Sequence, residues 1–179
     1  MEAGLQINKF DNLNVFITGA SSGIGFAVAK SYLKKGSNVF CVDIRKNNNK
    51  EFISNERMNF YSCDISNYSN MKKIINNIYK NINNIDVLIN CAGIIDFISI
   101  EDSSYEFWKK IIDVNLNGVF ITCKLIVPIM KKNKKGSVIN VSSRAGKFGG
   151  LNETAYCASK FGIEGFSRSL CEECKNYNI

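Results

Sequence analysis

Short apolar runs rich in β-branched residues alternate along this chain with longer segments of helical period. That alternation is typical of an α/β fold, in which crossover helices join parallel strands and pack on the faces of one sheet. Ligand sites in such sheets lie at the carboxyl ends of the strands, so functional residues are to be sought in the loops there. Five strands are predicted, at Asn14–Thr18, Asn38–Asp43, Met58–Cys63, Asp86–Asn90 and Ser137–Val141.

The segments between the strands carry helix signals. Pro128 is expected to bend or loosen the last turn of its helix, and the Asn-rich stretches 47–49 and 81–84 are expected to be loops. The 179 residues suit a single domain spanning residues 1–179. Helices are predicted at Gly23–Lys35, from a cap at Ser66 or Asn67, at Ser104–Asp113, at Asn117–Lys132 and from Glu153 to about Lys175.

The composition narrows the chemistry. His is absent from the sequence, which excludes a Ser-His-Asp triad and His-ligated zinc or haem. The 7 Cys are scattered, odd in number and mostly set in apolar runs, a pattern that favours reduced thiols in an intracellular protein. The N-terminus lacks a signal-peptide pattern, and the apolar stretch Gly118–Met130 is too interrupted to span a membrane. These features predict a cytoplasmic protein without a membrane partner.

Basic residues outnumber acidic ones, with Lys+Arg 23 against Asp+Glu 16 and a net charge of +7. Basic clusters bind nucleic acid or acidic partners in some proteins and are solvated helix ends in others. The clusters here end or punctuate helical segments without a base-stacking aromatic motif, so no nucleic-acid partner is expected. The close pair Cys171 and Cys174 lies on a helical pattern without further ligands, so no metal site is expected either.

A glycine-rich turn joins the first strand to the first helix. Gly19, Gly23 and Gly25 permit a tight turn, let the backbone approach a pyrophosphate and let the helix pack closely on its strand. Asp43 ends the next strand, near the spacing at which an acid binds the ribose hydroxyls of a dinucleotide. The alternatives are an ordinary loop for the glycines and a strand-terminal cap for Asp43.

The residues around Asp43 bear on the choice of dinucleotide. Its carboxylate would repel the 2′-phosphate of NADP, and Ser22 and Ile44 carry no positive charge to offset that repulsion, although Arg45 follows directly. NAD(H) is therefore the predicted cofactor, with NADP(H) as the alternative. Asp64, just past the third strand, is predicted either to accept a hydrogen bond from the adenine amino group or to form a turn.

Five fragments of the sequence resemble the short-chain dehydrogenase/reductase family in their order and intervals, from about residue 12 to the end of the chain. The resemblance implies a Rossmann-like, doubly wound parallel sheet of strand order 3-2-1-4-5. The fragments are the glycine turn, Asn90-Cys91-Ala92-Gly93, Val114-Asn115, Val141-Ser142-Ser143 and Tyr156-Cys157-Ala158-Ser159-Lys160. The residues then expected to bind the cofactor are Gly19, Ser21, Ser22, Gly23, Ile24, Gly25, Asp43, Asp64, Ile65, Asn90, Ala92, Gly93, Tyr156 and Lys160.

Tyr156 and Lys160 are four residues apart on a predicted helix, which puts the phenol and the ammonium on one face. An ordinary tyrosine has a pKa of about 10, and a neighbouring cation favours the phenolate, so this tyrosine suits a general acid or base. Outside the motif, such a pair would be helix surface. The resemblance further implies that Ser143 holds the substrate oxygen and that Asn115 holds a water beside Lys160; the alternative for Asn115 is a helix break.

Members of the family continue with another strand, a Pro-Gly turn and a substrate-covering helix pair, whereas this sequence stops at Ile179. We therefore expect the fifth strand to form an edge and the last strands of the family fold to be missing. Three hypotheses stay open: an NAD(H)-dependent oxidoreductase of secondary alcohols and ketones, a truncated and catalytically deficient dinucleotide-binding fragment, and a 3-oxoacyl thioester reductase using NADP(H). The resemblance also implies a small-molecule carbonyl or alcohol substrate and a homodimer or homotetramer.

Overall fold

Five parallel strands form one sheet in the computed structural model, which describes residues 9–46 and 48–179. The strands are β1 (Asn14–Thr18), β2 (Asn38–Asp43), β3 (Met58–Ser62), β4 (Val87–Asn90) and β5 (Ser137–Asn140). Their order is β3-β2-β1-β4-β5, which confirms the predicted doubly wound sheet. In its register, Phe16 of the central strand lies between Phe40 of β2 and Leu88 of β4. The predicted strand bounds agree with the observed ones to within one residue.

Helices join the strands, and their caps follow from the sequence. The side chain of Asn67 accepts a hydrogen bond from the backbone N–H of Asn70, and Ser104 accepts one from that of Phe107, both at 3.0 Å. One predicted helix passes through Pro128 and ends at Asn133. The helices are α1 (Gly23–Lys34), α2 (Lys50–Ile53), α3 (Tyr68–Ile78), α4 (Tyr105–Ile112), α5 (Gly118–Asn133) and α6 (Thr154–Cys174), with 3₁₀ turns at Arg144–Gly146 and Lys175–Tyr177.

The one-turn helix α2 follows a stretch that the sequence predicts as a loop. The side chain of Asn49 caps it by accepting a hydrogen bond from the backbone N–H of Phe52 at 3.0 Å. Phe52 is 2% exposed and anchors the turn to the core. A single helical turn is too short for a periodic apolar pattern, which is why the sequence does not reveal it. Asn47, also predicted in this loop, lies outside the described residues.

The core lies on both faces of the sheet, as expected for parallel strands. Val15 and Ile17 of β1 pack toward Ala29 of α1, whereas Phe16 packs with Met71 of α3 and Ile126 of α5. All of these side chains are fully buried. Because both faces are covered, the carboxyl edge of the sheet is where loops can shape a site.

A π-helical turn, Asp113–Asn117, joins α4 to α5 without a break. The sequence predicted two helices separated at residues 114–116, and the correction is that the backbone stays helical there with wider hydrogen bonding. The whole run, Tyr105–Asn133, has 29 residues and a mean hydropathy of 1.5 in its most apolar window, so it is long and apolar enough to cross a membrane. Half of that window is buried inside the fold, and Ile126 and Met130 are fully buried. Core packing therefore accounts for its apolar character.

Strand β5 forms an edge of the sheet within the described residues, as expected from the sequence. Its one neighbour there is β4, with Ile89 beside Ile139. The side chain of Ile139 is 45% exposed.

Candidate active site

The glycine turn after β1 requires glycine, at some positions because of the backbone angle and at others because of close contacts. Gly19 has φ +67° and Gly23 φ +54°, backbone values that favour glycine. A Cβ on Gly25 would lie 2.2 Å from the Gly19 carbonyl oxygen, and a Cβ on Gly19 would lie 2.7 Å from Ala92 Cα. The turn therefore packs on itself and on the loop after β4, and it leads directly into the N-terminus of α1, where backbone N–H groups favour an anion.

The Asp43 carboxylate ties the glycine turn to the loop after β2. One oxygen accepts a hydrogen bond from the backbone N–H of Ser21, and the other accepts one from that of Arg45, both at 3.0 Å. The Ser21 hydroxyl donates to the Arg45 carbonyl oxygen, which adds a second hydrogen bond between the two loops. A carboxylate can accept about four hydrogen bonds, so Asp43 keeps acceptor capacity for a ligand while it caps the strand.

These loops border a cavity of about 800 Å³ at the carboxyl edge of the sheet. A cavity of this size suits a cofactor-sized molecule. Of the residues predicted to bind the cofactor, those in its wall are Gly19, Ser22, Gly23, Ile24, Gly25, Asp43, Asp64, Ile65, Ala92 and Gly93. Sequence reasoning did not assign the remainder of the wall, which is formed by Ile44, Arg45, Cys63, Ser66, Cys91, Ile94, Glu106, Lys109, Lys110, Asp113 and Val114.

Two of the predicted cofactor contacts have protein partners of their own. One oxygen of Asp64 accepts hydrogen bonds from the backbone N–H and the hydroxyl of Ser66, at 2.9 and 2.7 Å. Asp64 thus forms the turn that was its alternative assignment, and it also lines the cavity.

Asn90 is 3% exposed and lies outside the cavity wall. Its amide donates to Asn140 at 2.9 Å and accepts from Thr122 at 2.8 Å. The Asn90 side chain thus joins β4 to β5 and α5, and a contact between Asn90 and the cofactor stays a prediction.

Asn115 lies in the π turn and is fully buried. Its side-chain oxygen accepts a hydrogen bond from the backbone N–H of Ile94 at 2.8 Å, and its amide nitrogen donates to the Ile94 carbonyl oxygen at 2.9 Å. The same nitrogen donates to the Ser159 hydroxyl at 3.0 Å. Asn115 therefore holds the cavity wall at Ile94 instead of breaking the helix.

Lys160 and Tyr156 lie on α6, outside the residues that line the cavity. The Lys160 Nζ donates to the Val141 carbonyl oxygen at 2.9 Å and lies 5.6 Å from the centroid of the Tyr156 ring. A Cβ on Gly93 would lie 3.7 Å from Nζ, so the ammonium is close to the wall. Lys160 is 5% exposed, and burial lowers the pKa of its ammonium. The spacing-based prediction that phenol and ammonium share one face is borne out by this geometry.

Ser143 begins the 3₁₀ turn between β5 and α6. Its hydroxyl accepts a hydrogen bond from the backbone N–H of Ala145 at 3.2 Å. A Cβ on Gly146 would lie 3.0 Å from the Lys160 carbonyl oxygen, so this turn packs directly on α6. The neighbouring Ser142 hydroxyl is buried and has no hydrogen-bond partner within the described residues.

Helix α4 contributes a charged wall that sequence reasoning missed. Lys109 forms an ion pair with Asp113, and Asn117 donates to the other oxygen of Asp113 at 2.8 Å. The Lys109 ammonium and the Asn117 amide hold the pKa of the Asp113 carboxyl below its usual value. The four-residue spacing of these side chains on one helix was the available signal.

Cys91 also lines the cavity, and sequence reasoning missed it as well. Burial raises the pKa of its thiol, and the positive charge of Lys160 opposes that rise.

The arrangement fits a dinucleotide. The glycine turn lines the cavity where α1 begins, Asp43 keeps acceptor capacity at the cavity wall, and a buried ammonium lies close to the wall at Gly93. Glycine N–H groups suit a pyrophosphate, and a carboxylate and an ammonium suit ribose hydroxyls.

Comparisons with known proteins identify the family of this chain. The 3-oxoacyl-(acyl-carrier-protein) reductase of Thermotoga maritima is 33% identical over 168 residues, which are 91% of this chain and 68% of that protein. A short chain dehydrogenase of Leptospira borgpetersenii serovar Hardjo-bovis with bound NAD+ has a TM-score of 0.90 at 30% identity, covering 95% of this chain and 68% of that one. A metagenomic short-chain oxidoreductase in complex with NADP has a TM-score of 0.88 at 28% identity, covering 94% and 78%.

This chain thus spans about two thirds to three quarters of the length of these relatives. The sequence model of the short chain dehydrogenase family matches residues 13–179, which is nearly all of the chain. Structures similar to this one bind NAD+ in one case and NADP in another. With its five motifs, its sheet order and these similarities, the chain belongs to the short chain dehydrogenase family.

Proposed function

We propose that this protein is an NAD(P)-dependent oxidoreductase that transfers a hydride between a nicotinamide and a secondary alcohol or ketone. The observation that carries the proposal is the position of the Lys160 ammonium, 5.6 Å from the centroid of the Tyr156 ring and directly behind the cavity wall. A dinucleotide held in that cavity would supply the hydride, which no side chain can supply. Membership of the family supports this type of reaction.

The side chains then handle the proton and the substrate oxygen. Tyr156 gives its phenol proton to the oxygen during ketone reduction and takes it back during alcohol oxidation. Lys160 favours the phenolate by its charge and binds the ribose hydroxyls. Ser143 donates a hydrogen bond to the substrate oxygen. Asn115, held on the backbone of Ile94, keeps a water in place beside Lys160.

The test of this function is Tyr156→Phe, which removes the transferable proton and keeps the ring. We expect kcat for ketone reduction to fall by about 10² to 10⁴, while NADH binding, followed by fluorescence, stays unchanged. Tyr68→Phe is the matched control, since Tyr68 is an exposed tyrosine on α3. Equal turnover by the Tyr156→Phe variant and the unaltered protein would contradict the proposal.

For the cofactor, we favour NAD(H) over NADP(H). The support is the Asp43 carboxylate in the cavity wall, whose negative charge opposes a 2′-phosphate. We expect Asp43→Asn to raise kcat/KM with NADPH relative to NADH by about tenfold, because it removes roughly 1.4 kcal/mol of like-charge repulsion. Glu172→Gln, which removes a remote exposed charge on α6, is the control. An unchanged ratio in Asp43→Asn would argue against the NAD(H) assignment.

Two alternatives remain as competing proposals. A 3-oxoacyl thioester reductase using NADP(H) is favoured by the similarity to the Thermotoga maritima reductase, and Arg45 in the cavity wall is a cation that such a cofactor would meet. A dinucleotide-binding fragment without turnover is the other. Steady-state assays with NADH and NADPH against ketones and 3-oxoacyl thioesters separate them, since the fragment would bind cofactor and turn over neither substrate.

The assembly and setting of the protein are also proposals. Residues 1–179 would act as one dinucleotide-binding domain in the cytoplasm, on a small carbonyl or alcohol substrate, without a nucleic-acid or membrane partner. A homodimer or homotetramer is supported by two exposed aromatic side chains on helices, Phe120 of α5 and Phe161 of α6, which are 47% and 48% exposed. Light scattering after size-exclusion chromatography would test the assembly.

A further inference from the structure

Ser159 carries a hydroxyl that solvent does not reach. It lies on α6 between Tyr156 and Lys160 and is 0% exposed. A buried hydroxyl is costly unless it is hydrogen-bonded. Its Oγ donates to the Tyr156 carbonyl oxygen at 2.7 Å and accepts from the Asn115 amide nitrogen at 3.0 Å. This hydroxyl thus joins the catalytic turn of α6 to the π turn.

The hydrogen-bond pattern fixes the direction of each bond. Because the single Ser159 proton goes to the Tyr156 carbonyl, the hydroxyl can only accept from Asn115. One hydrogen of the Asn115 amide therefore points to Ser159, and the other points to the Ile94 carbonyl oxygen. The amide oxygen is left to accept from the Ile94 N–H. Both hydrogens of the Asn115 amide nitrogen are therefore used. The amide group cannot rotate without breaking at least one of these hydrogen bonds.

The far end of this network is the wall of the cofactor cavity. Ile94 lines the cavity, and the adjacent Gly93 would place a Cβ 3.4 Å from the Asn115 oxygen and 3.7 Å from the Lys160 Nζ. Deleting the Ser159 hydroxyl would leave one amide hydrogen of Asn115 buried without a partner. The amide would then hold Ile94 less firmly, and the wall would shift relative to α6.

We propose that Ser159 is a positioning residue that locks the Asn115 amide onto the backbone of Ile94 and so sets the cavity wall against the Tyr156–Lys160 turn. This inference rests on the proposed function for its catalytic consequence, but the lock itself is a property of the fold. Ser159 contacts neither substrate nor cofactor in this assignment and acts through Asn115.

The chain offers a matched control on the same helix. Ser167 of α6 accepts a hydrogen bond from the Asn140 amide nitrogen at 2.9 Å, the same chemistry two turns further along α6. Ser167→Ala removes an equivalent bond outside the site. Any effect that the two Ala variants share therefore reflects stability, and any effect confined to Ser159→Ala reflects the lock.

Two readouts test the inference. In hydrogen exchange followed by NMR, Ser159→Ala should speed exchange of the Ile94 amide about tenfold, because its hydrogen bond to Asn115 opens more often. In steady-state kinetics, Ser159→Ala should lower kcat about tenfold, since misplacement of the cavity wall against the Tyr156–Lys160 turn reduces the rate. Ser159→Thr, which keeps the hydroxyl, should recover most of both effects, and Ser167→Ala should show neither.

Failure of the inference and failure of the proposed function give different results. Unchanged Ile94 exchange in Ser159→Ala, or equal changes in Ser167→Ala, would overturn the inference whatever the activity. Faster Ile94 exchange in a protein that has no turnover would support the lock and overturn the proposed function. Faster exchange with an unaltered kcat would also overturn the inference, because the lock would then have no role in the reaction.

Discussion

Lys160 shows how a residue with a proposed role in catalysis can weaken the fold that holds it. Its side chain is 5% exposed, its ammonium donates to the Val141 carbonyl oxygen, and none of the ion pairs within residues 9–46 and 48–179 includes it. Burial without a carboxylate partner disfavours the charged form, which is why the pKa of Lys160 is lowered. The folded chain therefore holds this charge at a cost in stability.

We expect Lys160→Met to abolish turnover and to raise the free energy of unfolding by about 1 kcal/mol at neutral pH, because an apolar side chain of similar size replaces a buried charge. The gain should shrink with rising pH. The folded-state pKa is below the ordinary value, so between the two values the unfolded chain binds more protons and the unaltered protein becomes more stable as pH rises. Urea unfolding at neutral pH and near pH 10 measures both effects, and a variant less stable at neutral pH would contradict them.

Residue spacing predicts partners that are close in sequence and misses those that are distant. The four-residue offset of Tyr156 and Lys160 was readable because one helix carries both. The partners of Asn90, by contrast, are Thr122 on α5 and Asn140 on β5, 32 and 50 residues away. Only the packing of three elements brings those side chains together, so the sequence could not show which partners the Asn90 side chain has.

At the scale of the element, the π turn between α4 and α5 is the feature that most affects the site and that the sequence signalled least. A helix break was the alternative prediction for Asn115, because Asn lowers helix propensity. The turn instead stays helical and lies against another element: a Cβ on Gly162 of α6 would lie 2.8 Å from Leu116 Cδ2. The close contact there and the Asn115 bonds to Ile94 are tertiary, and no periodicity of α4 or α5 encodes them.

Helix α6 allows a prediction on stability that is independent of the site. Nothing lies within 4 Å of a Cβ placed on Gly165, and its backbone is helical, so Gly165→Ala should raise the free energy of unfolding by about 0.5 to 1 kcal/mol by reducing the freedom of the unfolded chain. At Gly162 a Cβ would lie 2.8 Å from Leu116 Cδ2, so Gly162→Ala should gain less or lose stability. Urea unfolding of the pair checks this, and a larger gain at Gly162 would contradict it.

At the scale of the whole molecule, the sheet was the most predictable part. Strands buried on both faces read as short apolar runs, and turn residues mark their ends, which is why the bounds of β1 and β2 were predicted to the residue. The glycine turn located the cavity because the carboxyl ends of parallel strands share one edge. The spacing of Lys109 and Asp113 signalled an ion pair, but that the pair faces the cavity was not predictable, since the direction in which a crossover helix faces depends on how it packs. Lys109 and Asp113 reach the cavity through that packing.

The 7 Cys differ in how far solvent reaches them, which makes their thiols probes of this architecture. Cys171 is exposed, and Cys91 lines the cavity. Burial raises the pKa of Cys41 in β2 and of Cys123 in α5 to about 12, which leaves almost no thiolate for reaction. In limited alkylation of the native protein near neutral pH, followed by mass spectrometry, Cys171 should react first and Cys91 more slowly. Cys41 and Cys123 should react only after unfolding.

The same experiment with NADH present tests the cavity directly. Bound dinucleotide would cover the wall at Cys91 and should slow its alkylation at least about tenfold, given saturating ligand, whereas Cys171 at the far end of α6 should react at the same rate and serves as the internal control. Equal protection of both thiols would point to a general stabilisation instead of a local contact. Unchanged alkylation of Cys91 at saturating NADH would show that the dinucleotide does not occupy this cavity, because any molecule that contacts Gly93 and the glycine turn must pass over the loop that carries Cys91.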